Sequence, residues 1–472
     1  MTERAPAATI WDATRLGITI GSVVLIFLAA IEALAVTTVM PVVSVDLHGE
    51  ALYAVAFSGT LATSVIGMVA AGTWSDRAGP RAALYTAVAL FLAGLIVSGI
   101  APDMHTFLVG RLIQGLGAGG QTVALYVVVA RVYPPHLHGR IFAAYAAAWV
   151  VPSMIGPFLA GLVTELLPWR WTFLGVAVLT AAAFVLVAER LRDVSLEADA
   201  VETGDPDAVP DARVAETANA APAPGSFAAR MLLAVVVAVC AVGVGFTVEL
   251  PFPIGGPLAL VGIIVIGIAL LPLLPGRTLR AAPGLPSVVL TRGLIAGAFF
   301  AAEAYIPKLL MDEHDFSPSI AGLALTLAAL GWSGASAVQG RWGDRLGSRR
   351  IMLITFTLLI SALAGILSVV LVWPAPWIVV VGWGLAGAGM GLLYPRLTVL
   401  TLAYSTTRDE GFNSSALSIS DATGSALAVA VAGLGFVALP LLGSGFASVY
   451  AFAAACTVAA LLPGLQMGDP VR

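Results

Sequence analysis

The chain has 472 residues, 59% of them hydrophobic and only 11% charged, with a mean hydropathy of +0.97. A soluble domain carries about 25% charged residues, so the composition excludes a soluble globular fold and points to a polytopic membrane protein. The net charge of −4 therefore says little about partners, and no nucleic-acid partner is expected.

A membrane-crossing helix needs about 20 apolar residues. The N-terminus is polar up to the first apolar run, which is too long for a signal peptide and reads as an uncleaved span. Six spans are predicted over residues 16–40, 52–73, 82–101, 105–131, 140–163 and 171–190. Residues 191–229 hold Glu, Asp, Ala and Pro with few large apolar side chains, and read as a disordered acidic linker. Two further spans are predicted over 231–249 and 258–275, followed by a short link over 277–286. Six more follow over 288–311, 317–340, 351–372, 376–403, 411–439 and 445–465. The expected fold is all-α: a bundle over 1–190, an inserted pair over 230–286 and a second bundle over 287–472, with 14 transmembrane helices.

Sidedness follows from the basic residues, which collect in cytoplasmic loops. With both termini inside, all but three of the 23 Lys and Arg fall at cytoplasmic segments. The exceptions are Arg170 and Lys308 on the outer side and Arg111 within a span. Cys240 and Cys456 lie in apolar runs and are expected to be free thiols. The five histidines do not cluster, so no metal site is expected.

One pattern occurs twice. Residues 72–81 and 340–349 both read G-x-W-x-D-R-x-G-x-R, each between two apolar runs. Each is a tight loop joining two membrane helices. The glycines at Gly72, Gly79, Gly340 and Gly347 permit positive φ or close helix approach. Asp76 and Asp344 can face helix N-termini, and Arg77, Arg81 and Arg345 can reach headgroups.

This duplicated loop resembles the one between the second and third helices of each half of the major facilitator superfamily. The resemblance implies two parallel six-helix halves and secondary transport. The inserted pair is similar to that of the fourteen-helix drug–proton antiporters. In the first span, residues 31–41 resemble their L-D-x-T-x-V-x-x-x-x-P pattern, with Glu32 at the acidic position, Pro41 at the proline and Leu34 in place of Thr. Residues 111–118 read R-x-x-Q-G-x-G-A and carry Arg111 and Gln114. The fifth span keeps Gly156, Pro157 and Gly161 of the antiporter motif, and the Gly156-Pro157 pair predicts a kink with close packing.

The resemblance places the substrate cavity between the halves. Trp149, Gln114, Phe300, Trp383, Met390 and Tyr394 are then candidate cavity residues, although a stripe like that on the tenth core helix also suits packing. Glu32 is expected to be the main proton carrier and Glu303, its echo in the second half, the next candidate. Arg111 would tune them from a shared layer. Asp421 is a further intramembrane acid for which Arg396 is the expected partner. Asp76 and Asp344 would hold the inner gate.

No nucleophile elbow, phosphate loop or nucleotide-binding domain is visible, so neither an enzyme nor an ATP-driven pump is expected. The reading is a monomeric, proton-coupled exporter of hydrophobic or amphipathic small molecules, working by alternating access in a bacterial cytoplasmic membrane. It needs no cofactor beyond the proton gradient, and its partners are the substrate, protons and lipid. Lipid export, metabolite symport, and a transport-inactive sensor or scaffold remain open alternatives.

Overall fold

A computed structural model describes residues 13–192, 227–372, 375–406, 409–438, 440 and 444–468. The first half is built from α1 (Ala13–Asp46), α2 (Tyr53–Ala78), α3 (Pro80–Ile100), α4 (Met104–Val132), α5 (Pro135–Leu166) and α6 (Arg170–Arg192). The inserted pair is α7 (Phe227–Phe246) and α8 (Phe252–Leu270). The second half comprises α9 (Leu285–Glu303), α10 (Ile306–Asp312), α11 (Pro318–Leu346), α12 (Ser348–Val372), α13 (Trp377–Ala403), α14 (Glu410–Ala438) and α15 (Gly445–Gln466).

Fourteen stretches among the described residues are long and apolar enough to cross a membrane, with α9 and α10 forming one interrupted span. An even number returns the chain to the side where it began. We call that side inner; it carries both duplicated turns. The sequence 191–229 read as a disordered linker falls mostly outside the described residues, and α6 and α7 each extend into its edges.

The duplicated turn is the same structure twice. Gly79 joins α2 directly to α3 with φ 81° and ψ 157°. Gly347 joins α11 to α12 with φ 73° and ψ 154°. Each glycine N–H still bonds back into the preceding helix, to the Ser75 carbonyl at 3.1 Å and the Gly343 carbonyl at 3.0 Å. That backbone region is open to glycine almost alone, so two helices can meet across one residue. Gly72 and Gly340 differ from this expectation: both lie inside helices. A Cβ on Gly72 would touch only Val123, at 3.6 Å, and one on Gly340 would touch nothing within 4 Å.

Pro41 does not end the first span. The helix continues to Asp46 with Pro41 inside it, because the apolar run resumes with Val42 and Val43. In α5, Gly156 is not the close contact; the nearest atom to a Cβ there is Leu34 Cβ at 3.9 Å. The tight approach comes a turn later, where a Cβ on Gly161 would lie 2.5 Å from the Ser319 backbone of α11.

The halves meet along two seams, α2 against α14 and α5 against α11. The inserted pair covers the first seam. α7 lies on both α2 and α14, with Ala62, Val237, Ala241 and Ala426 buried together. α8 packs on the far side of α7 and presents Ile254, Leu258, Val261, Ile264 and Ile268 outward, as lipid-facing positions require. The short link after α8 is tied down: Gly284 N–H bonds the Gln466 carbonyl at 3.2 Å, and Ser287 Oγ bonds the Ala282 carbonyl at 2.8 Å.

The turn geometry makes a paired prediction. Gly79→Ala and Gly347→Ala should each lose about 1–3 kcal/mol of stability through backbone strain. Gly72→Ala and Gly340→Ala should lose none. Thermal unfolding in detergent checks this, and equal midpoints for all four variants would contradict it.

Candidate functional site

In the first half, α4 carries Arg111 into the membrane interior. The start of α4 is set by Asp103, which accepts from Thr106 N–H at 2.9 Å and from Thr106 Oγ1 at 2.9 Å. Those two donors hold the Asp103 carboxyl below the ordinary carboxylate range. Two turns on, Arg111 is 3% exposed and Glu32 of α1 is 3% exposed, and the Arg111 guanidinium is ion-paired with Glu32. The same guanidinium donates to Gln114 Oε1 at 2.6 Å and to the Ala56 carbonyl of α2 at 3.3 Å. Arg111 therefore ties α1, α2 and α4 together. Close packing at Gly117, where a Cβ would sit 2.3 Å from Phe91 N, lets α4 lie this near α3.

The second half holds two more carboxylates. Asp421 of α14 meets Arg292 of α9 with both oxygens, at 3.0 Å and 3.4 Å, and accepts from Tyr394 Oη at 2.9 Å. The Arg292 guanidinium also lies 3.5 Å from the Tyr394 ring centroid. Arg396, the expected partner, instead donates to Ser348 Oγ at 2.9 Å. The exchange has a simple cause: α14 packs along α9, which brings Arg292 to Asp421, and on α13 it is Tyr394 rather than Arg396 that faces the acid.

Glu303 sits at the last residue of α9 and accepts from Trp383 Nε1 at 3.4 Å. No ion pair to Glu303 occurs among the described residues, and it does not join Glu32 and Arg111. An aromatic array lies between the two acids of this half. Phe299 stacks on Trp383 at 4.8 Å and meets Trp332 at 5.5 Å, and Trp332 meets Tyr394 at 4.8 Å.

The polar contacts described between the halves lie toward the outer side. Pro307 has no N–H to give the Glu303 carbonyl, so the span breaks at Ala304 and Tyr305 before resuming as α10. Tyr53, at the outer start of α2, donates to the Ala304 carbonyl at 2.6 Å, and its ring packs on Tyr305 at 5.1 Å. Lys308, 1% exposed, pairs with Asp312 at 2.7 Å and reaches Glu50 of the first half at 3.6 Å. Glu165 of α5 accepts from the Ser319 N–H of α11 at 2.9 Å.

Two six-helix halves with the same turn agree with the sequence comparison. The profile of the Major Facilitator Superfamily matches residues 22–302 and 288–467. The chain belongs to the major facilitator superfamily. Among curated relatives, the MFS transporter L2 of a Phoma species is 30% identical over 175 residues, 35% of this chain and 29% of the relative. The Acurin A biosynthesis cluster MFS-type transporter of Aspergillus aculeatus is 30% identical over 166 residues, 35% of this chain and 30% of the relative. The matches thus span about a third of each relative's length. Relatives occur in fungi and also in Mycobacterium tuberculosis. Among solved structures, an auto-inhibited POT family peptide transporter superposes with a TM-score of 0.66 at 18% identity, covering 96% of this chain and 98% of that one. A D-xylose–proton symporter superposes with a TM-score of 0.59 at 13% identity, covering 96% and 97%. These likenesses are of fold.

Within this superfamily fold, the sequence-derived cavity residues fall into two groups. Trp149 is 46% exposed and lines a cavity of about 150 Å³ between α1, α4 and α5, with Ile26, Gln121 and Tyr126. Phe300 is partly buried beside Phe299. Gln114, Trp383 and Met390 are fully buried and Tyr394 is 8% exposed, so these pack inside their halves in this conformation. Gln114 Nε2 has no hydrogen-bond partner there.

At the inner turns, Arg81 donates to the Leu191 carbonyl at the end of α6, at 2.5 Å. Arg77 and Arg345 are exposed. The backbone of Asp76 and Asp344 belongs to α2 and α11, while their side chains, and with them the gate contacts expected of them, lie outside the described residues. Sequence reasoning missed Arg292, Trp332, Tyr53 and the role of Lys308. Arg292 and Lys308 were visible as charges within one predicted span, and only the helix contacts show what each one meets.

The ion pair sets the next prediction. Arg111→Met leaves Glu32 buried without its cation and should destabilise by about 3–5 kcal/mol. Adding Glu32→Leu should recover most of that loss. If single and double variants unfold at the same denaturant concentration, the pair does not carry the stability assigned to it.

Proposed function

We propose that this transporter exports hydrophobic or amphipathic small molecules in exchange for protons, with the inner face toward the cytoplasm. The reading of sidedness rests on the arginine-rich inner turns. A relative named for the acurin A biosynthesis cluster supports small organic cargo. The cavity wall of Trp149, Tyr126, Phe142 and Ile26 supports an apolar or aromatic substrate.

The observation that carries the proton reading is the unequal state of the three intramembrane acids. Glu32 and Asp421 each face an arginine, whereas Glu303 has only an indole N–H. An unpaired charge is costly inside a membrane, and such acids mark ion or proton paths. Glu303 also stands one residue before the break that Tyr53 bridges. A proton lost or gained there acts next to the contact between the halves. On this reading Glu303 is the carrier, and Glu32, locked to Arg111, holds the first half together. Asp421 is the next candidate, held within the second half by Arg292 and Tyr394.

Reconstituted protein with an imposed pH gradient and ethidium as the transported probe tests this. Glu303→Gln should slow gradient-driven transport at least tenfold while ethidium binding is retained. Glu32→Gln should keep its pH dependence. Wild-type, pH-dependent transport by Glu303→Gln would move the proton site elsewhere.

A further inference from the structure

A second apolar site lies outside the space between the halves. A groove of about 370 Å³ runs between the inserted helix α8 and helices α9, α14 and α15. Leu290, Leu294, Leu427, Val431, Phe452 and Cys456 are among its walls. It follows α14 from Ser420 to Val431, a length of ~16 Å at 1.5 Å rise per residue. Half of a ~30 Å hydrocarbon core is ~15 Å, so the groove has the depth of one leaflet.

Its inner mouth is formed by Leu279. This residue lies in a short 3-10 turn, Thr278–Arg280, on the link between α8 and α9. The turn is bounded by Arg277 and Ala281, both left-handed, with φ 67° and φ 50°. It places Arg277 and Arg280, both exposed, on either side of Leu279. Neither guanidinium forms an ion pair or hydrogen bond among the described residues. The link is anchored to the second half through Gly284 and Ser287, so the two charges are presented at a fixed place.

We propose that this groove binds an anionic phospholipid of the inner leaflet, with one acyl chain between α8 and the second half and the phosphate at Arg277 and Arg280. The length, the apolar walls and the paired cations at one end match that ligand and no soluble one. Arginines near a membrane surface attract anionic lipid by about 1 kcal/mol each. The bound lipid would fill the space between α8 and the second half, beside the contact that α7 already makes with α14. The proposal does not depend on which substrate is transported or on which acid carries the proton.

Delipidated full-length protein in neutral detergent, given phosphatidylglycerol or phosphatidylcholine of identical acyl chains, tests it by native mass spectrometry. Wild type should retain one phosphatidylglycerol at least tenfold better than phosphatidylcholine. Arg277→Gln with Arg280→Gln should remove that preference, and these exposed sites leave folding intact. Cys456→Phe, which fills the groove, should reduce retention of both lipids. An undiminished preference in the double arginine variant overturns the proposal. So does unchanged retention in a folded Cys456→Phe variant, because the lipid would then belong to the general belt around the protein. Displacement of the lipid by ethidium at transport concentrations would mark the groove as a substrate path and also overturn it.

Discussion

In a bilayer every backbone polar group must find a partner within the protein, and Pro307 strains that rule in the outer part of the protein's ninth span. It supplies no N–H to the Glu303 carbonyl, and the helix turns at Ala304 and Tyr305. At this break the opposite half makes contact: Tyr53 donates to the neighbouring Ala304 carbonyl at 2.6 Å. That hydrogen bond joins the two halves where the helix is interrupted. Around it lie Tyr305, Lys308 and Glu50, all drawn to the same outer layer. The break also leaves Glu303 at a helix end, beside Trp383 and away from any arginine. Fold and proposed chemistry share a single cause.

The other buried charges behave differently because their surroundings are complete. Arg111 is met by a carboxylate, an amide oxygen and a backbone carbonyl, so it acts as a rivet across three helices. Asp421 is met by both arms of Arg292 and by a tyrosine, which ties α9, α13 and α14 together within the second half. A fully satisfied pair rigidifies one bundle, whereas Glu303 is met only by an indole N–H, and that difference is what the proposed proton site rests on.

Much of the architecture was legible along the chain. Span length and apolar runs announce the helices, and the exact repeat of G-x-W-x-D-R-x-G-x-R announces two halves, because the combination of positive φ with extended ψ at Gly79 and Gly347 is open to glycine almost alone. Glu32 and Arg111 were legible as charges too costly to be incidental. Their pairing, and the pairing of Asp421 with Arg292, were not. Both depend on which helices touch, and Asp421 lies nearer in sequence to Arg396 than to the arginine it meets. Pro41 and Pro307 make the same point. Both sit in apolar runs, yet the first is absorbed within a helix and the second interrupts one. Gly156 and Gly161 differ likewise: the motif marks both, and only the second faces the other half closely.

The central claim is that the bridge from Tyr53 to the Ala304 carbonyl joins the two halves on the outer side. Spin labels at His48→Cys and Glu313→Cys, in a chain with Cys240 and Cys456 replaced by Ser, report the separation of the two outer turns by pulsed electron resonance. The account predicts a short distance distribution for the otherwise native protein and a shift to longer distances with Tyr53→Phe, with the folded fraction unchanged. Superimposable distributions would contradict it.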